Sequence, residues 1–203
     1  MSRRTTARLS RMLALILLFT LFLTALPAAA ESKTAKNKAA HALYTAIVQK
    51  LCGEGGDVAY KYADVTGDGV DELLVEHHPM GNGSGREFEI HTYKSGSTKQ
   101  ILSHGEYGLE KVTRYSKTKA LVLYCAGHGS EAYIYFKYKN GKYSLVASKA
   151  REAKAGGSSR NGPWSYGNSS GKSIKKADFT KKTNSLLKGS KKIWKKSTWT
   201  VLY

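Results

Sequence analysis

Nine consecutive residues, Asp64-Val-Thr-Gly-Asp-Gly-Val-Asp-Glu72, set oxygen donors at every second position around two glycines. Carboxylates at Asp64, Asp68 and Glu72, the Thr66 hydroxyl and the Val70 backbone carbonyl can converge on a hard cation that takes six to eight oxygens, which is the chemistry of calcium. Asp64, Asp68, Asp71 and Glu72 also crowd four negative charges, which repel one another unless a cation neutralises them. Asp71 reads as an outer acceptor or a cap on the next strand. The alternative is an Asp-Gly turn that keeps its shape without an ion. A hydroxyl at Thr66, where a carboxylate or amide would bind more strongly, places the expected affinity at the weak end of the calcium range, about 10⁻⁴ to 10⁻³ M. An ion held this way would be structural.

Catalytic patterns are weaker. His77, His78, His91, His104 and His128 fall in or near strand and loop segments, and two of them could meet around a metal. His77 and His78 point to opposite faces of a strand, so at most one can share a site with His91 or His128. Satisfied or solvent-facing imidazoles are the preferred reading. Gly127-His-Gly-Ser130 leads into a strand, whereas a nucleophile elbow needs Gly-x-Ser-x-Gly between a strand and a helix. Gly81-Asn-Gly-Ser-Gly85 lacks the spacing and the terminal Lys-Ser/Thr of a phosphate loop. The catalytic expectation is therefore none, with a hydrolase using His128 and Ser130 kept as the rival.

The elements that must position the acidic run read as mainly β. Ala35 to Leu51 carries Ala39, Leu43, Ile47 and Leu51 at helical spacing, broadened by Tyr44 and Val48, with Gly53 as the stop. From Tyr60 the period changes. Leu73–His77, Phe88–Tyr93, Ala120–Cys125, Ala132–Tyr138 and Tyr143–Ser148 are short runs rich in aromatic and β-branched residues, separated by glycine turns. Asn140-Gly141 is the strongest hairpin signal, because it accepts the positive φ angles of a type I′ turn. Phe88–Gly96 aligns with Tyr133–Gly141 at an offset of 45 residues, which suggests two blade-like repeats. Two such units cannot close a propeller ring. The predicted fold is α+β, mainly β: an antiparallel, partly propeller-like meander sheet with an N-terminal helix, then a C-terminal helix over Ile174–Leu187 and a strand over Trp194–Tyr203.

The run Ala63-Asp-Val-Thr-Gly-Asp-Gly-Val-Asp-Glu-Leu-Leu-Val75 resembles the calcium loops of FG-GAP and VCBS-type repeats, where an Asp-rich stretch leads directly into an apolar strand. It looks less like an EF-hand, which needs a glutamate where this chain has Val75 and a helix afterwards. Glu72 as the last acidic ligand is what the repeat family implies. The combination with a Tyr-x-x-Gly hairpin is similar to a group of secreted proteins from Gram-positive bacteria.

Residues 1–30 read as a secretory signal: Arg3, Arg4, Arg8 and Arg11, then apolar Met12 to Leu26, then Ala28-Ala29-Ala30. An uncleaved anchor is the alternative, although a 15-residue segment falls short of the about 20 a spanning helix needs. The expected destination is extracellular or cell-wall associated. The expected parts are a helix plus β domain over 31–155 with the calcium loop, a Gly/Ser-rich loop over 156–171, and a lysine-rich helix and strand over 172–203. Cys52 and Cys125 stand 73 positions apart, and an oxidising destination points to one disulfide between them, worth roughly 4 kcal/mol in the chain-entropy model. Two buried thiols are the alternative.

Charge is segregated. The whole chain carries +18, yet nine of its 15 carboxylates lie between Glu54 and Glu89, and Lys172 to Lys196 holds ten lysines with only Asp178. A basic surface of this kind attracts polyanions, so Trp164, Tyr166, Lys191, Lys192, Lys195 and Lys196 form the expected ligand surface, suited to anionic glycan or cell-wall polymer. Core anchoring of Trp164 and a solvated lysine face are the plain alternatives. Nothing points to specific nucleic-acid recognition. A secreted protein-interaction partner fits the same residues.

Overall fold

The computed structural model describes residues 31–54, 56–78, 85–106, 108–127, 129–154 and 160–203. The expected signal over residues 1–30, His128 and most of the Gly81–Gly85 loop lie outside the described residues. Lys33–Tyr203 forms one compact unit.

The alternating residues after the acidic run build a strand, and its neighbours build a sheet. Sheet A consists of β1 (Val58–Ala63), β2 (Glu72–His77), β3 (Arg86–Lys94) and β4 (Ser97–Glu106), an up-and-down antiparallel meander. Sheet B repeats the plan with β5 (Leu109–Tyr115), β6 (Ala120–Gly127), β7 (Ser130–Lys139) and β8 (Lys142–Glu152), to which β9 (Ser165–Asn168) adds on the β8 side. The inner faces share one apolar core, with Leu74, Phe88 and Ile90 from sheet A against Leu121, Leu123, Ile134 and Phe136 from sheet B. Neither sheet closes into a barrel.

The repeat offset of 45 residues is present in the backbone. Ser95-Gly96 and Asn140-Gly141 both turn with positive φ (50° and 81°, 54° and 75°), as type I′ hairpins require. Each hairpin also carries one bulge at the corresponding place: the register shifts between Ile90 and His91 in one, and between Tyr135 and Phe136 in the other.

A helix covers the outer face of each sheet. α1 (Lys33–Gly53) buries Ala40, Tyr44 and Val48 against Leu73, Val75 and Val58. This stripe is turned from the predicted Ala39-Leu43-Ile47-Leu51 line: Leu43 is 38% exposed, while Ile47 and Leu51 only flank the contact. Tyr44 decides the rotation, because its ring enters the core while its hydroxyl donates to the Asp71 carbonyl at 3.0 Å. α2 (Lys176–Asn184) lays Phe179 against Tyr135 and Tyr166 on sheet B.

The predicted last strand is divided. β10 (Lys191–Lys195) pairs with β5 in sheet B, a 3-10 turn follows over Lys196–Thr198, and β11 (Thr200–Leu202) pairs with β1 in sheet A. Trp194 and Trp199, on either side of the turn, both enter the shared core. The C-terminal segment thus joins both sheets. Among the described residues no helix is long and apolar enough to cross a membrane.

The expected disulfide is absent, and no bond joins Cys52 to Cys125. Cys52 packs at the end of α1 on the outer face of sheet A, whereas Cys125 lies in the core on the inner side. A sheet stands between them, and Cα atoms more than about 7 Å apart cannot be bridged without moving the backbone.

His104 faces the core, edge-on to Phe136 at 5.3 Å, and burial holds its imidazole below the ordinary value. An unfolded chain protonates this residue near about pH 6.5, before the folded one does. The stability it contributes is complete above that pH and is lost as pH falls through the lowered folded value. Replacing His104 with Leu should reduce the acid sensitivity of the urea midpoint measured on either side of about pH 6.5.

Candidate functional site

Three regions of the surface carry chemistry, and the acidic loop between β1 and β2 is the first. Asp64 caps it from the front: its carboxylate accepts the N–H groups of Gly67 at 2.5 Å and Gly69 at 3.2 Å. Those glycines adopt φ of 81° and 89°, which is why the loop needs them. Asp68 accepts the Val70 N–H at 2.8 Å. Glu72 is fully buried and closes the loop from behind, accepting the N–H groups of Val65 (2.8 Å) and Thr66 (3.0 Å) and the hydroxyls of Thr66 (3.2 Å) and Thr92 (3.1 Å). Burial pushes its carboxyl up to about 7, against the pull of those backbone donors.

Neighbouring elements hold this loop firmly. Asn37 accepts the Asp71 N–H, His41 lies 3.2 Å from the Asp71 carboxylate, and Tyr143 donates from β8 to the Val65 carbonyl at 2.7 Å. Lys33 reaches Gly69, and the Arg114 guanidinium lies against Gly67. Two of the chain's own cations thus stand beside the loop's glycines. The carboxylates of Asp64, Asp68 and Glu72 do not gather as a trio within 4.8 Å of one another; among the described residues the group that does is His77, Glu87 and Glu89.

That trio is the second region. β2 and β3 pair His77 directly with Glu87, and the alternation Glu87-x-Glu89-x-His91 sets these three residues on the same face. Glu89 sits between imidazoles, 3.6 Å from His77 Nε2 and 2.6 Å from His91 Nε2. Burial pushes Glu89 up, but the two imidazoles prevail and hold it at about 2. Sequence reasoning placed His77 and His91 as residues that could meet; it missed Glu87 and Glu89, whose signal was the period-two pattern.

The third region is the outer face of sheet B beyond α2. Strand register lines up Lys195, Lys111, Tyr124, Tyr133, Lys149 and Tyr166 across all six strands. The row spans about 24 Å at a strand spacing of about 4.8 Å. Lys111 lies over the Tyr124 ring at 4.9 Å, Tyr124 meets Tyr133 at 4.8 Å, and Lys149 lies over both Tyr133 (4.5 Å) and Trp164 (4.3 Å). Arg151 packs on Trp164 at 4.6 Å and donates to Glu131 at 2.5 Å.

The predicted ligand surface is thus distributed rather than gathered. Lys191, Lys192 and Lys195 are exposed on β10 at one edge of sheet B, and Trp164 precedes β9 at the other. Tyr166 turns its ring to Phe179, and Lys196 turns inward to pair with the fully buried Glu76, which also lies 3.8 Å from Arg86. The residues that bridge the two edges, Lys111, Tyr124, Tyr133 and Lys149, were legible only once register was known. Ser130 donates its hydroxyl to the Gly127 carbonyl at 2.9 Å.

Removing one partner of a buried ion pair leaves an uncompensated charge. Lys196→Met should therefore cost about 2–3 kcal/mol, somewhat less than for a fully enclosed pair because Arg86 stays beside Glu76, while Lys191→Met on the exposed edge should change the urea midpoint little. Comparison with protein-family models, with curated proteins and with solved structures finds no match to this chain.

Proposed function

We propose that the chain is a secreted, non-catalytic binding module that holds an anionic polymer, such as an acidic glycan or a cell-wall polymer, across the outer face of sheet B. The observation that carries this reading is the transverse row of lysines and tyrosines from Lys195 to Tyr166, flanked by Arg151 and Trp164. Cations on both sides of an aromatic pair suit a linear ligand carrying repeated negative charge. Sugar rings can lie on the tyrosines while their acidic groups meet the lysines. The excess of 29 basic over 15 acidic residues after the signal segment adds long-range attraction of the same sign.

In the same proposal the loop Asp64–Glu72 is a structural calcium site. Its support is the Asp64 cap over two left-handed glycines and the buried Glu72 behind it. The free lone pairs of Asp64 and Asp68, the Thr66 hydroxyl and the Val70 carbonyl supply the remaining donors. Lys33 and Arg114, beside Gly69 and Gly67, set positive charge near the ion, which lowers the affinity further. The FG-GAP and VCBS likeness belongs to this proposal as well.

Both halves are open to measurement. Lys111→Glu with Lys149→Glu should sharply lower the salt concentration that elutes the protein from an anionic glycan resin, whereas the same reversals at Lys181 and Lys182 on α2 should shift it only modestly. Equal shifts would reduce the row to bulk charge. Calcium at about 10 mM should stabilise the fold by about 1.4–2.7 kcal/mol if the dissociation constant lies in the expected range. Arg114→Gln should tighten calcium binding, and an unchanged melting temperature with calcium would remove the loop from the reading.

A further inference from the structure

The cluster on the outer face of sheet A has donors that calcium does not favour. Imidazole nitrogen suits zinc, copper, nickel or iron, while calcium is held by oxygen alone. His77, Glu87 and Glu89 each offer one donor atom, and these atoms lie within 4.8 Å of one another. Bonds of about 2.0–2.1 Å in a tetrahedral site place donors about 3.4 Å apart, so the His77 to Glu89 separation of 3.6 Å is close to what a bound ion would impose.

A second observation points to a ligand. His77 is only 6% exposed, and its Nε2 is buried with no hydrogen-bond partner, since Glu89 at 3.6 Å lies beyond hydrogen-bond range. A buried polar nitrogen left without a hydrogen bond is costly, and it lies near both carboxylates. The supporting contacts are those of a prepared site. Ser103 donates to Glu87 at 2.5 Å, and His91 holds the far oxygen of Glu89 at 2.6 Å, so both carboxylates are oriented before anything enters.

We infer that His77, Glu87 and Glu89, with His91 as orienting partner or fourth ligand, form a binding site for a divalent transition-metal ion of the zinc class. Two carboxylates balance the charge of the ion, and the neutral imidazole supplies the nitrogen that selects against calcium and magnesium. The site stands on paired strands of one sheet rather than on a loop, so its geometry is fixed by backbone register. It is independent of the calcium reading of Asp64–Glu72, because it shares no residue with that loop.

Titration of the chelator-treated full chain with zinc chloride tests the inference, read by calorimetry and, with cobalt(II) as a probe, by visible absorption. One equivalent should bind saturably, and Glu87→Gln and His77→Gln should each weaken it at least tenfold, with the cobalt spectrum changed in His77→Gln. Asp64→Asn should leave zinc affinity unchanged while lowering that for calcium, which separates the two sites. If His77→Gln does not fold, the more accessible Glu87→Gln decides the matter. Absence of a saturable equivalent, or zinc affinity unaltered in Glu87→Gln, would overturn the site.

Discussion

The alternation of side chains along β2 is the constraint on which the rest of the molecule depends. Glu72, Leu74 and Glu76 face inward between the sheets, while Leu73, Val75 and His77 face α1. Two carboxylates pointing into an apolar sandwich are costly unless each is paired. Glu72 meets the requirement by gathering the backbone of the acidic loop, and Glu76 by drawing in Lys196 at the turn between β10 and β11. A slip of one residue would turn both glutamates to the face that α1 covers and set His77 between the sheets in their place. Loop, C-terminal turn and His77 cluster are therefore set by a single register.

The two meanders share a plan and differ in what their outer faces carry. Each has a type I′ turn, a bulge at the corresponding residue and a covering helix. Sheet A's outer face holds the cluster of His77, Glu87, Glu89 and His91, and sheet B's outer face the row of Lys111, Tyr124, Tyr133 and Lys149. The division of charge seen along the sequence becomes a division between two faces that point away from each other, separated by the shared core. The acidic clusters on one side and the lysine row on the other therefore do not neutralise each other.

Much of this was legible in the residues. Helical spacing revealed α1, aromatic and β-branched runs revealed β2, β3, β6, β7 and β8, and the offset of 45 residues revealed the duplicated hairpin. β4, β5, β9 and the division of β10 from β11 were not legible. β4 reads Ser-Thr-Lys-Gln-Ile-Leu-Ser-His-Gly-Glu, because an edge strand has neighbours on only one side and accommodates polar residues. β5 alternates Lys111, Thr113 and Tyr115 outward with Val112 inward, a pattern that a search for apolar runs passes over. The Cys52–Cys125 pairing failed because sequence carries no information about which side of a sheet a residue occupies until register is fixed. Lys196 was grouped with its exposed neighbours for a similar reason: only the buried carboxylate opposite it distinguishes it from Lys195.

The stitching of both sheets by residues 191–202 has a kinetic consequence. β11 finds β1 across more than 130 intervening residues, and β10 finds β5 across more than 70, so sandwich closure waits for the most distant contacts in the chain. Topologies of this kind close slowly, since the entropy of the large loops is lost before the pairing is gained. During synthesis the meanders can collapse early, but the core they share is completed only when Trp194 and Trp199, the last of its members to leave the ribosome, arrive together.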